Sequence, residues 1–467
     1  MPVGFYWGLL LLIPLVGAYS ALGARGQNWL LVATGMLLMA SWDLRFPIIL
    51  VGTTGLAYGV GRKLEWERPD ARRRLWLCAG VGLDLAVLLG FRYAAHPGVA
   101  DPAGVLDHAA GWRLRGLVAP VGLSFYTLAR MTHTFDVYYR FERPCRSFLE
   151  FLTFTSFFPL LVSGPIERST RILPMLARRR RVDVDGVYRG AWLILLGLFQ
   201  KVVVADHCGA LVGTFLRPHP GTVLTLLAVS AYAMQIFADF SGYSDIARGL
   251  ARLLGIEVME NFRAPYLSPN LAEYWRRWHI SLSSWLEDYV YKPAGMWLRN
   301  FGLLGAFGAT AFTFFISAMW HGRGWTFLCW GAVHVAGITT FMATRSFRKR
   351  LKSRLPAAPL KTFSTLLTFA TVCLAYIFFR APDVGSALST LAELSRPLPL
   401  NLPDVGEGLE FLALVISVAG VHHIQLKRDA DWMQTRPVWM RATCYAAMLF
   451  FIVRLPGSSQ AFIYLQF

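Results

Sequence analysis

The chain has 467 residues, of which 55% are hydrophobic and 14% aromatic, and its mean hydropathy is +0.44. This excludes an ordinary soluble protein, because apolar runs recur that are long enough to cross a bilayer, about 20 residues each. The formal net charge of +18 does not point to nucleic acid. The basic residues lie in short loops between apolar runs, as positive-inside topology requires, and no basic stretch is interleaved with stacking aromatics.

Phe5–Leu22 is the first candidate span. It has no basic leader and no A-x-A cleavage site, so it is expected to be retained. Further spans follow at 28–42, 46–61, 75–91, 114–130, 187–205, 222–240, 301–319, 325–343, 361–380, 408–426 and 438–455. The stretch 148–163 ends in "FFPLLVSGP". Its Pro159, with Gly164 and Pro165 beyond, predicts a broken or re-entrant segment, which is tolerable only where protein covers its backbone.

The loops "GRKLEWERPDARRR", "RFERPCR", "ARRRR", "RSFRKRLKSR" and "LKR" are basic, whereas the connections 94–112 and 381–407 are poor in Lys and Arg. With the basic loops cytoplasmic, both termini fall on the extracytoplasmic face, provided 148–163 dips in and returns. The fold class is therefore all-α. The expectation is one polytopic integral membrane domain over 1–467, with about 11–13 transmembrane helices plus amphipathic and re-entrant helices.

Ser268–Pro293 does not read as a span. Leu271, Tyr274, Trp275, Trp278, Leu282, Trp285, Leu286 and Tyr289 recur at three- and four-residue steps. This predicts an amphipathic helix at the interface or in a protein groove. Asn270 and Glu273 have the spacing of a capping box at its start. His279 borders the apolar face, which also suits an interfacial histidine bonded to a headgroup or a carbonyl.

His321 lies in "FFISAMWHGRGWTFLCWG", between two apolar runs. A histidine at membrane depth is costly and usually faces a protein interior or a watery cavity. One reading is a structural histidine bonded across helices. The other is a general base, with Gly322 and Gly324 letting a ligand approach the backbone.

Other chemistries find no support. The six cysteines are scattered without a C-x-x-C, and His334, His422 and His423 lack an H-x-x-x-H spacing. Neither a metal site nor a bound cofactor is expected. No G-x-S-x-G elbow is present. No inverted repeat is evident, which weighs against a transporter or flippase with a histidine proton relay.

"MQIFADFSGYSDIARGLARLLGIEVMENFRAPYLSPNLAEYWRRWHISLSSWLEDYVYKP" followed by "SAMWHGRGWTFLCWGAVH" resembles the membrane-bound O-acyltransferase superfamily. It is most similar to the bacterial branch that holds the alginate O-acetyltransferase membrane subunit and the teichoic-acid D-alanyl-transfer membrane protein. "PVGLSFYTL", "FFPLLVSGPIER" and "GLFQKVVVAD" add to the likeness, which covers a motif-bearing core over roughly 115–335. The resemblance implies helices around a central tunnel open to the cytoplasm. It implies that His321 is catalytic and that His279 is catalytic or lines the acyl channel, with Trp320 and Trp278 beside them. Asp239, Ser241 and Tyr243 are candidates for orienting a histidine or lining the entrance, although caps at a helix terminus explain them equally well. Arg323 stands where the family commonly has a small residue, which bears on donor fit.

The last six residues, "FIYLQF", resemble the C-terminal tyrosine motif of bacterial polymer-acylation systems. In the tail 456–467, Tyr464 would be the relay acceptor of the acyl group. An interfacial aromatic belt is the alternative.

The function implied is O-acylation, with acetyl expected, of an exported polysaccharide in the bacterial inner membrane. The donor would be acetyl-CoA or an acyl-carrier thioester. The partners would be an extracytoplasmic polysaccharide acetyltransferase and the membrane lipids, with no nucleic acid. D-alanyl transfer to teichoic acids is the alternative within the class.

Overall fold

The computed structural model describes residues 3–66, 70–94, 119–396, 401–427, 433 and 435–457. Among them every regular element is a helix. Among the described residues seven helical stretches are long and apolar enough to cross a membrane: Asp70–Phe91, Val184–Phe215, Gly221–Leu253, Arg299–His321, Trp325–Ala343, Ala357–Arg380 and Val405–Leu426. The chain divides into two compact units.

One unit comprises Pro2–Val187 with Leu250–Val258. The broken segment lies here, as Phe148–Thr155 and a single turn, Phe158–Leu161. Ser147 caps the first piece by accepting from the Glu150 N–H. Protein does cover this backbone. Gly122, at φ 73°, lies against the Leu161 carbonyl, and Gly35 against the Ser156 carbonyl, so closely that a Cβ at either would overlap the oxygen. Nearby, the guanidinium of Arg130 is buried on the Asp84 carboxylate and donates to Thr53 Oγ1 at 2.8 Å. The basic loop after Leu176 is pinned as well: Arg180 N donates to Gln27 Oε1 and Gln27 Nε2 to the Arg180 carbonyl, each at 2.9 Å. Pairing of this kind is what lets polar groups sit in an apolar core.

The other unit comprises Tyr188–Gly249 and Met259–Phe467. Two of the sequence-predicted spans prove much longer. The span expected at 222–240 is a 33-residue helix, Gly221–Leu253. The span expected at 187–205 continues to Phe215 through a π-helical stretch, Phe199–Ala205. The two helices cross on glycine. A Cβ on Gly242 would come within 2.7 Å of the Gly197 carbonyl oxygen, and one on Gly249 within 2.6 Å of the Gly190 oxygen. Small residues at such crossings allow backbone-to-backbone packing where lipid supplies no hydrophobic drive. In the π-helical stretch, Lys201 Nζ lies 2.8 Å from both Asp206 Oδ1 and Asp239 Oδ1. The Gly457 N–H donates to the Val202 carbonyl at 3.1 Å, against the same stretch.

The expected single helix over Ser268–Pro293 is broken. Helix occupies Leu271–Trp275 and resumes at Ile280–Leu286, followed by a π-helical turn, Glu287–Tyr291. His279 stands at the break in the left-handed region, φ 44° and ψ 54°. The capping box is half formed: Asn270 Oδ1 accepts from the Glu273 N–H at 2.9 Å, but the Glu273 carboxylate is drawn to Arg277 instead.

Candidate active site

His321 is the last residue of the helix Gly302–His321. The helix ends there because Gly322 is fully extended, and its N–H closes the last turn on the Ala318 carbonyl. His321 is 4% exposed. Its ring is walled by aromatic edges, with centroids at 4.8 Å for Trp320, 5.0 Å for Trp330 and 5.2 Å for Phe379. Phe327 packs onto Gly322 so closely that no Cβ would fit there. The glycine after the histidine therefore makes room for a side chain of this protein.

A cavity of ≈ 10 Å³ adjoins His321, lined also by Ile236, Trp278, Trp330, Tyr376 and Phe379. That volume is about the minimum for one water molecule. His334, on the next helix, shares this lining, and its Nδ1 accepts from Trp275 Nε1–H at 3.4 Å.

His279 is 1% exposed. Its ring stands edge-on to Phe240, with centroids 4.6 Å apart, and 6.1 Å from the Trp320 ring. Trp320 thus lies beside both histidines. Burial first, and repulsion from His321 when it is protonated second, hold the His279 pKa well below the ordinary histidine value, so the ring is neutral at physiological pH. A buried neutral imidazole can take a proton from a hydroxyl nucleophile and give it back to a leaving group.

The sequence-predicted residues divide into groups. His321, His279, Trp320 and Trp278 gather around this centre. Asp239 is ion-paired with Lys201, and Ser241 Oγ accepts from Gln425 Nε2 at 3.1 Å. Those bonds tie helices together. Tyr243 and Arg323 are half-buried. Tyr464 lies outside the described residues. No group of three or more potential metal ligands occurs among the described residues.

Sequence reasoning passed over Asn261, which is 1% exposed and bonded to the His279 loop at several points. It lies in the irregular stretch 256–264, where no periodicity marks it. Trp330 and His334 were also passed over as neighbours of His321, although they lie four apart on a helical run, and such residues share a face.

A helical, membrane-spanning chain with two buried histidines joined by a tryptophan defines a polytopic membrane protein with a candidate acid–base centre. Comparison with known proteins makes the class specific. The model of "MBOAT, membrane-bound O-acyltransferase family" matches residues 139–374. The chain is 35% identical over 339 residues to "Probable alginate O-acetylase AlgI" of Pseudomonas putida, covering 70% of this chain and 67% of that one. It is 26% identical to "Peptidoglycan O-acetyltransferase" of Helicobacter pylori, covering 100% and 95%. It is 29% identical to "Teichoic acid D-alanyltransferase" of Bacillus subtilis, over 49% of this chain and 60% of that one. The chain belongs to the membrane-bound O-acyltransferase family and is an acyltransferase.

Proposed function

We propose that the protein moves a small acyl group, acetyl, from a cytoplasmic thioester to a hydroxyl acceptor on the way to an exported polysaccharide. The observation that carries this reading is the seat of His321: a buried histidine beside His279, at the edge of an aromatic-walled cavity of ≈ 10 Å³. So small a space argues for a short acyl group over a long chain. The names of the relatives, O-acetylase and O-acetyltransferase among them, agree.

In this reading His321 accepts the proton of the attacking hydroxyl as its oxygen bonds to the thioester carbonyl carbon. The C–S bond then breaks and the thiol leaves with the proton. A phenol, with a pKa near 10, is protonated at neutral pH and needs such a base. Tyr464 is the proposed relay acceptor, because an aryl ester stays activated enough to pass its acyl group to a sugar hydroxyl. A separate extracytoplasmic transferase would complete the reaction. The donor is proposed to be acetyl-CoA or an acyl-carrier thioester. The proposed location is the bacterial inner membrane, with the basic loops cytoplasmic and both termini outside.

The test is intact-peptide mass spectrometry of the C-terminal fragment from cells that lack the downstream transferase. Wild type is compared with His321→Ala and Tyr464→Phe. An acetyl mass on Tyr464 that vanishes in His321→Ala supports the proposal, whereas a D-alanyl mass moves it to the teichoic-acid branch. No adduct in wild type, with polymer acylation normal in Tyr464→Phe, sinks the relay.

A further inference from the structure

Asn261 is hydrogen-bonded to His279 and to both of the residues that follow it. The Asn261 carbonyl accepts from the Ile280 N–H at 2.9 Å. Its side-chain Oδ1 lies 3.1 Å from His279 Nδ1, 3.2 Å from the Ser281 N and 2.9 Å from Ser281 Oγ. Its Nδ2 donates to Ser244 Oγ at 3.0 Å. Ser281 Oγ is also 3.4 Å from His279 Nδ1. Asn261 and Ser244 are both 1% exposed, and Ser281 is fully buried.

The chemistry of these partners fixes the amide. A backbone N–H can only donate, so the group facing Ser281 N is the oxygen and the group facing Ser244 is the NH₂. An amide oxygen in turn can only accept, so His279 Nδ1 carries the hydrogen. A neutral imidazole with Nδ1–H keeps its lone pair on Nε2.

The backbone leads to the same place. A non-glycine residue at φ 44° and ψ 54° is strained, and such strain persists only where surrounding structure enforces it. Asn261 supplies that enforcement by accepting from the N–H of the two residues that follow His279, thereby starting the new helix. Ser244, on the helix Gly221–Leu253, anchors Asn261 in turn. The same helix carries Phe240, against which the His279 ring rests.

We infer that Asn261 is a positioning residue for acyl transfer: it selects the Nδ1–H tautomer of His279 and sets the ring against Phe240, so that Nε2 is the nitrogen carrying the lone pair. This rests on the acyl-transfer reading of the His279–His321 pair. His321 is the ionisable neighbour whose protonation acts on His279.

The first readout needs no variant of Asn261. Nitrogen NMR of ¹⁵N-histidine-labelled protein in lipid, with the His279 signals assigned by their loss in His279→Gln, should show Nδ1 protonated and Nε2 bare. The opposite tautomer overturns the inference. The second readout is the pH–rate profile of acetyl transfer. Asn261→Leu removes the acceptor and should lower turnover about 10²-fold or more with little change in KM, since a wrong tautomer costs a catalytic histidine up to about 10⁴-fold. Asn261→Asp still accepts from Nδ1–H and should recover at least about tenfold of that loss. Its carboxylate favours the imidazolium by about 1–3 pKa units, so the acid limb should move to higher pH. Equal turnover in the two variants with an unshifted limb leaves Asn261 a mere loop anchor and overturns the inference. His321→Ala runs alongside. If it is inactive, a negative result for Asn261 speaks against this inference alone. If it still transfers acetyl, the acyl-transfer reading of the pair has failed.

Discussion

Trp330 stands between two histidines, its ring centroid 5.0 Å from that of His321 and 5.0 Å from that of His334. Both contacts are edge-to-face, at 76° and 71°. The indole therefore fixes the orientation of His321 and forms a wall of the small cavity at the same time. Trp330→Ala should destabilise the protein by about 3–5 kcal/mol and lower turnover more than substrate affinity. Steady-state kinetics with a thermal-shift assay checks this; a variant that changes KM alone would make Trp330 a binding wall only.

Acid should weaken the fold through His279, which lies outside the candidate spans. Its folded pKa is well below 6.5, through burial first and His321 second, whereas in the unfolded chain it titrates near 6.5. As pH falls below that value the unfolded state binds more protons than the folded one, and stability falls. Above it the contribution is full and flat. Unfolding midpoints in detergent micelles should drop between pH 7 and pH 5, and drop less in His279→Asn. Parallel slopes for the two proteins would contradict the neutral buried ring.

Gly122→Ala should be severe for a residue so small. At φ 73° any side chain is strained by about 1–2 kcal/mol, and the new methyl would also overlap the Leu161 carbonyl oxygen. Loss of folded, membrane-inserted protein is expected, whereas Gly52→Ala, where nothing lies within 4 Å, should be tolerated. Fluorescence-detected size-exclusion chromatography separates the two outcomes.

Lys201→Met would leave Asp206 and Asp239 facing each other without their shared cation. Removing one partner from a buried ionic cluster costs about 3–5 kcal/mol. Lys201→Met with Asp239→Asn should recover part of that loss, since one buried charge is removed with it. A double variant less stable than Lys201→Met would show that Asp239 is held by more than the lysine.

Much of the architecture was legible in the sequence, because the bilayer imposes length and apolarity on each span. The break at 156–165 was legible for a second reason: Pro159 and the Gly164–Pro165 pair disturb a helix locally. The interruption at His279 was not, since Trp275, Trp278 and Leu282 keep a helical spacing across it and neither glycine nor proline stands there. What breaks that helix is a distant acceptor, Asn261, eighteen positions earlier in the chain. Hydropathy is likewise blind to partners. Asp239 and Ser241 stand out as polar residues at the end of the expected span 222–240, but they lie inside the helix Gly221–Leu253, and only the fold reveals that Lys201 and Gln425 are what they answer to. His321 was found because a lone imidazole in an apolar run is conspicuous, and Trp330 beside it was overlooked because an apolar run is where tryptophan belongs.

The helix Gly221–Leu253 is 33 residues long, about 50 Å at 1.5 Å per residue, against a hydrocarbon core of about 30 Å. Phe240 and Ser244 come late in it, about 29 and 35 Å from its start. Because the ring of His279 rests on the first and its loop hangs, through Asn261, from the second, the helix works as a plumb line. The level of the histidine is measured along this rod rather than set by its own short segment. Lengthening the rod by one turn before Phe240 would carry the suspended histidine about 5.4 Å along the helix axis, while His321, borne on another helix, stayed where it was.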